Sequence, residues 1–235
     1  MVAYWRFEEG NGSVATDSVN GHDGTIYEAA RTTGQVGGAL HFDGTNDRVE
    51  VPSDPAFMPQ GKFTTEASIY PESTISEQEI FSALLPAYYQ VLIINNEVAL
   101  NYYYNLGGGY YIVGAGMPAL NAWHHIVATY EESGASATSR IYIDGVEKAE
   151  FTGEPIVKNP RQGPVYIGAN HDWASGQREF IGSIDEVAVY NRALTAEEIQ
   201  QHYKNGLAGL GYWDEKRLYR STLLILPFRQ MVKRN

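Results

Sequence analysis

The chain has 235 residues, enough for one large all-β domain or two small ones, and at 43% hydrophobic residues with no cysteine it excludes both a disulfide scaffold and a thiolate metal site. Its formal net charge of −11 argues against a nucleic-acid partner, whose affinity rests on Lys and Arg neutralising phosphates, and suits a neutral, cationic or metal-containing one. The start, MVAYWRFEEG, has neither a basic nor an apolar leader region, which leaves a cytoplasmic protein or a module of a longer exported one, and no 18-residue apolar run predicts a membrane helix.

Strand signals follow one another closely, broken by Gly, Asn and Asp. They fall near residues 4–8, 24–27, 39–42, 48–51, 63–69, 79–83, 89–94, 98–104, 110–113, 123–130, 139–143, 146–151, 165–167 and 182–189. Asp144-Gly145 between IYI and VEKAEF is the strongest hairpin signal, because a type I′ turn needs positive φ at both central residues, and Asn95-Asn96 is a second. Only residues 195–205 read as helix. Thr195 and Glu198 form an S/T-x-x-E capping box, Leu194 and Ile199 a hydrophobic staple, and Asn205-Gly206 a left-handed stop. Many short strands with regular turns predict an all-β fold, a sandwich or jelly roll of antiparallel sheets, with one short C-terminal helix. The domain is expected over residues 1–206. Residues 207–235 carry a net charge of +4 and an apolar run, STLLILPFRQMV, and read as a separate tail.

Asp185 falls on the same strand face as Val187 and Val189 if the alternation is regular. A carboxylate on an apolar face needs a partner: an Arg such as Arg178 or Arg192, backbone N–H groups, or a metal ion. Residues 17–24, DSVNGHDG, form a loop of oxygen donors with two glycines, the type of ligand Ca²⁺ takes, although Asp17 alone reads equally as a turn cap. The six histidines lack metal-site spacing, so zinc is not expected.

YWRFEEGNGSVATDSVNGHDGTI, VGGALHFDGTNDRVEVP, FTTEASIYP, NAWHHIVATYE, SRIYIDGVEKAE, VYIGAN and GSIDEVAVYNRALTAEEIQQHYKNG resemble, in this order, the laminin G-like (LamG-type) domains of the concanavalin A-like lectin/glucanase superfamily. The resemblance spans residues 3–206 and implies a jelly-roll β-sandwich of two antiparallel sheets with adjacent termini. It also implies a structural Ca²⁺ joining the N-terminal loop to the closing strand, with Asp17 and Asp185 as carboxylate ligands and Asn20 and His22 contributing backbone oxygen. One departure is Ser68, which stands where the family's EAW-type block has Trp; Tyr70 or a neighbouring aromatic is expected to fill that space.

For a ligand the sequence offers aromatics. Tyr88, Tyr89, Tyr102, Tyr103, Tyr104, Tyr110 and Tyr111 cluster around a Gly-Gly-Gly loop, with Tyr102 and Tyr104 on one strand face and Tyr103 on the other, and some of these rings are expected to be core. A second patch, NHDWASGQR, holds Trp173 and Arg178; its Trp either forms a sugar platform or folds back over the sandwich edge. Tyr102, Tyr104, Tyr110, Trp173 and Arg178 are the candidate glycan contacts. Glucanases of this fold use an E-x-D-x-(x)-E strand that is missing here, and Glu77 and Glu79, though at same-face spacing, read as a solvated turn leading into a strand. The expectation is therefore a non-catalytic, Ca²⁺-stabilised module that binds polysaccharide or glycan, extracellular or at a cell surface. Adhesion to protein, or polysaccharide cleavage, is the alternative.

Overall fold

The computed structural model describes residues 1–75, 77–83, 89–105, 107–157, 163–170 and 178–214. In chain order the strands are β1 (Ala3–Trp5), β2 (Val14–Ala15), β3 (Gly24–Tyr27), β4 (Ala30–Thr33), β5 (Gly38–Asp43), β6 (Arg48–Val51), β7 (Lys62–Pro71) and β8 (Gln78–Ala83). They continue with β9 (Tyr89–Ile94), β10 (Glu97–Tyr103), β11 (Tyr110–Gly116), β12 (His124–Ser133), β13 (Ser136–Ile143), β14 (Val146–Gly153), β15 (Val165–Ile167) and β16 (Ile181–Tyr190); the helix is α1 (Ala196–Leu207). They form two antiparallel eight-stranded sheets. The first runs β14-β13-β12-β7-β16-β5-β4, with β1 also on β16; the second runs β11-β10-β9-β8-β15-β6-β3-β2. This is the expected jelly-roll sandwich. Both hairpin signals are real turns: Asp144, Gly145, Asn95 and Asn96 all have positive φ.

The inner faces bury one continuous core. Phe63, Ile69, Ile126 and Ile184 of the first sheet meet Phe81, Val91, Leu100 and Tyr102 of the second. A second, smaller core lies on the far face of the first sheet, beneath α1, where Leu194 and Ile199 join Tyr4, Val127, Tyr190 and Tyr212. The helix starts as expected: Thr195 Oγ1 accepts from the Glu198 N–H and the Glu198 carboxylate accepts from the Thr195 N–H. It ends later than expected. The left-handed residue is Gly209, with φ +67, rather than Gly206. Gly209 N–H donates to Gly206 O and Leu210 N–H to Asn205 O, the two bonds of a Schellman motif.

Past the expected boundary at residue 206 the chain stays in contact with the sandwich. Tyr212 is buried in the second core, its N–H donates to Tyr4 Oη at 3.1 Å, and Asp214 pairs with Arg6 at 3.0 Å. Tyr212 and Asp214 thus pack against the start of the domain. The rest of the expected tail, 215–235, lies outside the described residues. Among the described residues no helix is long and apolar enough to cross a membrane.

Candidate functional site

Two departures from strict alternation decide which side chains leave the core. In β8 the register with β9 shifts between Glu79 and Phe81, so Ile80 and Phe81 both enter the core and Glu79 turns to the outer face. In β16 the register with β7 shifts between Asp185 and Ala188, and Glu186 has φ +52. Ile184 and Val187 thus both reach the inter-sheet core, while Glu186 bonds Tyr4 on the helix side. Asp185 does not share a regular face with Val187 and Val189.

The outer face of the second sheet carries a polar row across its strands. Tyr166 of β15 pairs with Ser82 of β8, Ser82 with Gln90 of β9, and Gln90 with Asn101 of β10. The Asn101 amide donates to Gln90 Oε1 at 3.0 Å, and the Gln90 amide donates to Glu79 Oε1. Among the described residues, Ser82 Oγ and Asn101 Oδ1 are buried without a hydrogen-bond partner. Burial pushes the Glu79 carboxyl well above the ordinary carboxylate range, against the opposing pull of Arg178. Arg178 pairs with Glu77 at 2.9 Å and lies 3.8 Å from Glu79. Beside this row, Tyr103 and Tyr110 are cross-strand partners with ring centroids 5.7 Å apart. Tyr110 is 52% exposed.

The expected ligand residues divide accordingly. Tyr110 and Arg178 lie on this face. Tyr102 does not: it is fully buried between the sheets, packed edge-on against Tyr130, so the alternation places it on the core side. Tyr104 packs on Tyr111 at 4.6 Å, and Tyr111 packs on Phe151, an aromatic plug at the sandwich end. Trp173 lies outside the described residues. Glu79, read from sequence as solvated, is buried within the row. Tyr103, named in the aromatic cluster, was not among the candidate contacts, and Gln90 and Asn101 were missed. Their signal is a single polar residue interrupting each apolar strand, in YQVLII and VALNYYY.

The metal-ligand set divides too. Asp17 caps its own loop: its carboxylate accepts from the N–H groups of Tyr4, Val19, Asn20 and His22 and contacts the His22 ring. Burial raises its pKa, but these bonds outweigh it and hold the carboxyl below its usual range. Asn20 spends its side-chain amide on Val2 O, and His22 spends its carbonyl on the Trp5 indole N–H. This loop fits a turn cap rather than a calcium site. Asp185, fully buried, pairs with neither Arg178 nor Arg192; it accepts from the N–H groups of Val36 and Glu186. Burial and then the Glu186 charge push its carboxyl up to about 9, and Glu8 adds to the effect. A Cβ on Gly34 would lie 2.5 Å from Asp185 Oδ2, and one on Gly37 2.2 Å from Glu8 Oε1. That glycine turn packs against both carboxylates, and among the described residues no group of three or more His, Cys, Asp or Glu side chains is placed to hold a metal ion.

A family model described as Laminin_G_3, concanavalin A-like lectin/glucanases superfamily, matches residues 43–200. A search of curated proteins finds no match. Among solved structures, domain 4 of AbnA, a GH43 extracellular arabinanase from Geobacillus stearothermophilus, in complex with arabinotriose, is similar with a TM-score of 0.60 and 20% identity over 85% of this chain and 96% of that one. A Trypanosoma rangeli sialidase has a TM-score of 0.65 and 18% identity over 88% of this chain, which spans 33% of the sialidase. The botulinum neurotoxin serotype G binding domain has a TM-score of 0.66 and 14% identity over 86% of this chain and 50% of its own. At these identities the likeness is one of fold.

Proposed function

We propose, from the premise that the chain belongs to the concanavalin A-like lectin/glucanase superfamily, that it is a non-catalytic glycan-binding module of an extracellular or cell-surface protein. The observation that carries this reading is the half-exposed Tyr110, paired across β10 and β11 with Tyr103 beside the buried polar row Ser82–Gln90–Asn101. The half-exposed Tyr110 ring offers a face for sugar C–H groups, and the buried, mutually bonded side chains of the row hold the sheet beneath it in a fixed shape. The complex of the AbnA domain with arabinotriose supports the ligand class, and that enzyme's description as extracellular supports the location. A glycan array followed by calorimetry tests it. Tyr110→Ala is expected to weaken binding about tenfold or more, as loss of a stacking ring costs about 1–3 kcal/mol. Tyr102→Phe is expected to leave it unchanged. A folded protein that binds no glycan ends the proposal.

Calcium enters this proposal at Asp185 and Glu8 rather than at the Asp17 loop. The ion would offset the repulsion by which the Glu8 charge helps to raise the Asp185 carboxyl. Calcium is expected to raise Tm, EDTA to lower it, and Asp185→Asn to abolish both effects. Equal Tm values with no metal by elemental analysis reject the ion.

One observation favours a second reading, polysaccharide cleavage. Glu79 is a buried carboxyl that favours its protonated form, the state a general acid needs. Glu77, the nearest second carboxylate, is tied to Arg178. Release of reducing ends or unsaturated products, lost in Glu79→Gln, would establish this reading over the first.

A further inference from the structure

An asparagine followed by glycine can react with its own backbone, because a residue without Cβ lets its nitrogen approach the preceding side-chain carbonyl with the least hindrance. The chain has three such pairs: Asn11-Gly12, Asn20-Gly21 and Asn205-Gly206.

The fold holds two of them. Asn20 donates its side-chain amide to Val2 O at 2.7 Å, and the N–H groups of Asn20 and His22, on either side of Gly21, donate to the Asp17 carboxylate at 3.1 and 3.0 Å. Asn205 is buried in α1, where its side chain accepts from the Gln201 amide at 2.7 Å and donates to Tyr212 O at 3.1 Å. Each must give up these bonds before its backbone can turn toward the side chain, and Asn205 must also open the end of a helix.

Asn11 is held only through its N–H, which donates to Glu9 O at 2.8 Å. The residue is exposed in the turn between β1 and β2, and among the described residues its side chain makes no hydrogen bond. Gly10 and Gly12 on either side have φ of +71 and +83, and a Cβ at either would meet nothing within 4 Å. The turn thus has both the space and the backbone freedom to rearrange.

We propose that Asn11 is the site at which the folded chain deamidates. Gly12 N gives up its proton and forms a bond to Asn11 Cγ; the Cγ–Nδ2 bond breaks, and the departing nitrogen leaves as ammonia with that proton, closing a succinimide ring. Water then opens the ring at one of its two carbonyls and leaves either aspartate or isoaspartate. The net change exchanges an amide and water for a carboxylic acid and ammonia. The new negative charge stands near Glu9 in the sequence, whose carboxylate holds Arg31 and the Thr16 N–H.

Incubation of the whole folded chain in mildly alkaline buffer, followed by peptide mapping with mass spectrometry, tests the site. Asn11 is expected to be converted at least about tenfold faster than Asn20 or Asn205, since the bonds that hold those two add to their barriers. The same chain kept unfolded in denaturant is expected to lose this advantage. Asn20 or Asn205 converted as fast as Asn11 in the folded chain overturns the proposal, as does an Asn11 that stays intact while the unfolded chain is converted. An advantage that persists in denaturant overturns it as well, because local sequence and not the fold would then set the rate.

Discussion

Glu66 shows how one residue can hold two layers together. It is fully buried under α1, and its carboxylate accepts from the Tyr190 hydroxyl and from His125 and His202 on either side. Burial alone would raise its pKa, but the two histidine hydrogen bonds prevail and hold the carboxyl at about 2. The folded state therefore binds this proton less tightly than the unfolded chain does. The stability from Glu66 is present in full above its ordinary value near 4.5 and is lost as pH falls through about 2. Glu66→Gln is expected to cost about 2 kcal/mol at neutral pH and to unfold less steeply in acid, as read by denaturant melts across pH. None of this was legible in the sequence, where EAS is one short block and the two histidines lie in separate segments. The Tyr102–Tyr104 strand was half legible: alternation separated Tyr103 from its neighbours, but periodicity alone does not say which face meets the other sheet. Only packing against Tyr130, which itself stacks on Phe63, shows that Tyr102 is core.

At the scale of elements, the helix was the most legible part of the chain because its start signals are local. The capping box needs only residues 195–198, and Thr195→Ala is expected to cost about 1 kcal/mol, measurable as a Tm loss of about 3 °C. Its end was misplaced because Asn205-Gly206 is itself a plausible stop. The Asn205 side chain instead donates to Tyr212 O, and the turn is made by Gly209. Gly209→Ala is expected to destabilise by about 1 kcal/mol through its positive φ alone, since a Cβ there meets no neighbour within 4 Å. The polar row on the second sheet is the converse case. It is assembled by register across β15, β8, β9 and β10, so no single segment reveals it, and the shift at Glu79 breaks the alternation that would otherwise mark it.

For the whole molecule, the order of strands along the chain gave the fold class, and the two departures in β8 and β16 account for the misread faces of Glu79 and Asp185. The short strands β2 and β4 were also missed: β2 is two residues long, and β4 is exposed along its length, with no apolar alternation to announce it. The two ends of the described domain meet. Val2 N–H donates to Val189 O, the Tyr4 and Tyr212 rings stack at 5.4 Å, and Arg6 pairs with Asp214. A permuted chain opened at Gly134, where the hairpin tip has no neighbour within 4 Å of a Cβ, and joined from Asp214 to Met1 by a short glycine-serine link, is expected to fold with a Tm within about 5 °C of the parent. Circular dichroism and a thermal melt check it, and a chain that stays unfolded refutes the adjacency.

That meeting of the ends also has a mechanical meaning. Tension applied at Ala3 and Asp214 enters the molecule at neighbouring points on the β16 side and has almost no lever arm through the sandwich. The Arg6–Asp214 pair and the Tyr4–Tyr212 stack take the load first, and once β1 has peeled the second sheet is pulled only at β2, its edge strand farthest from β10 and β11. The face proposed to hold a glycan is thus decoupled from pulling on the chain.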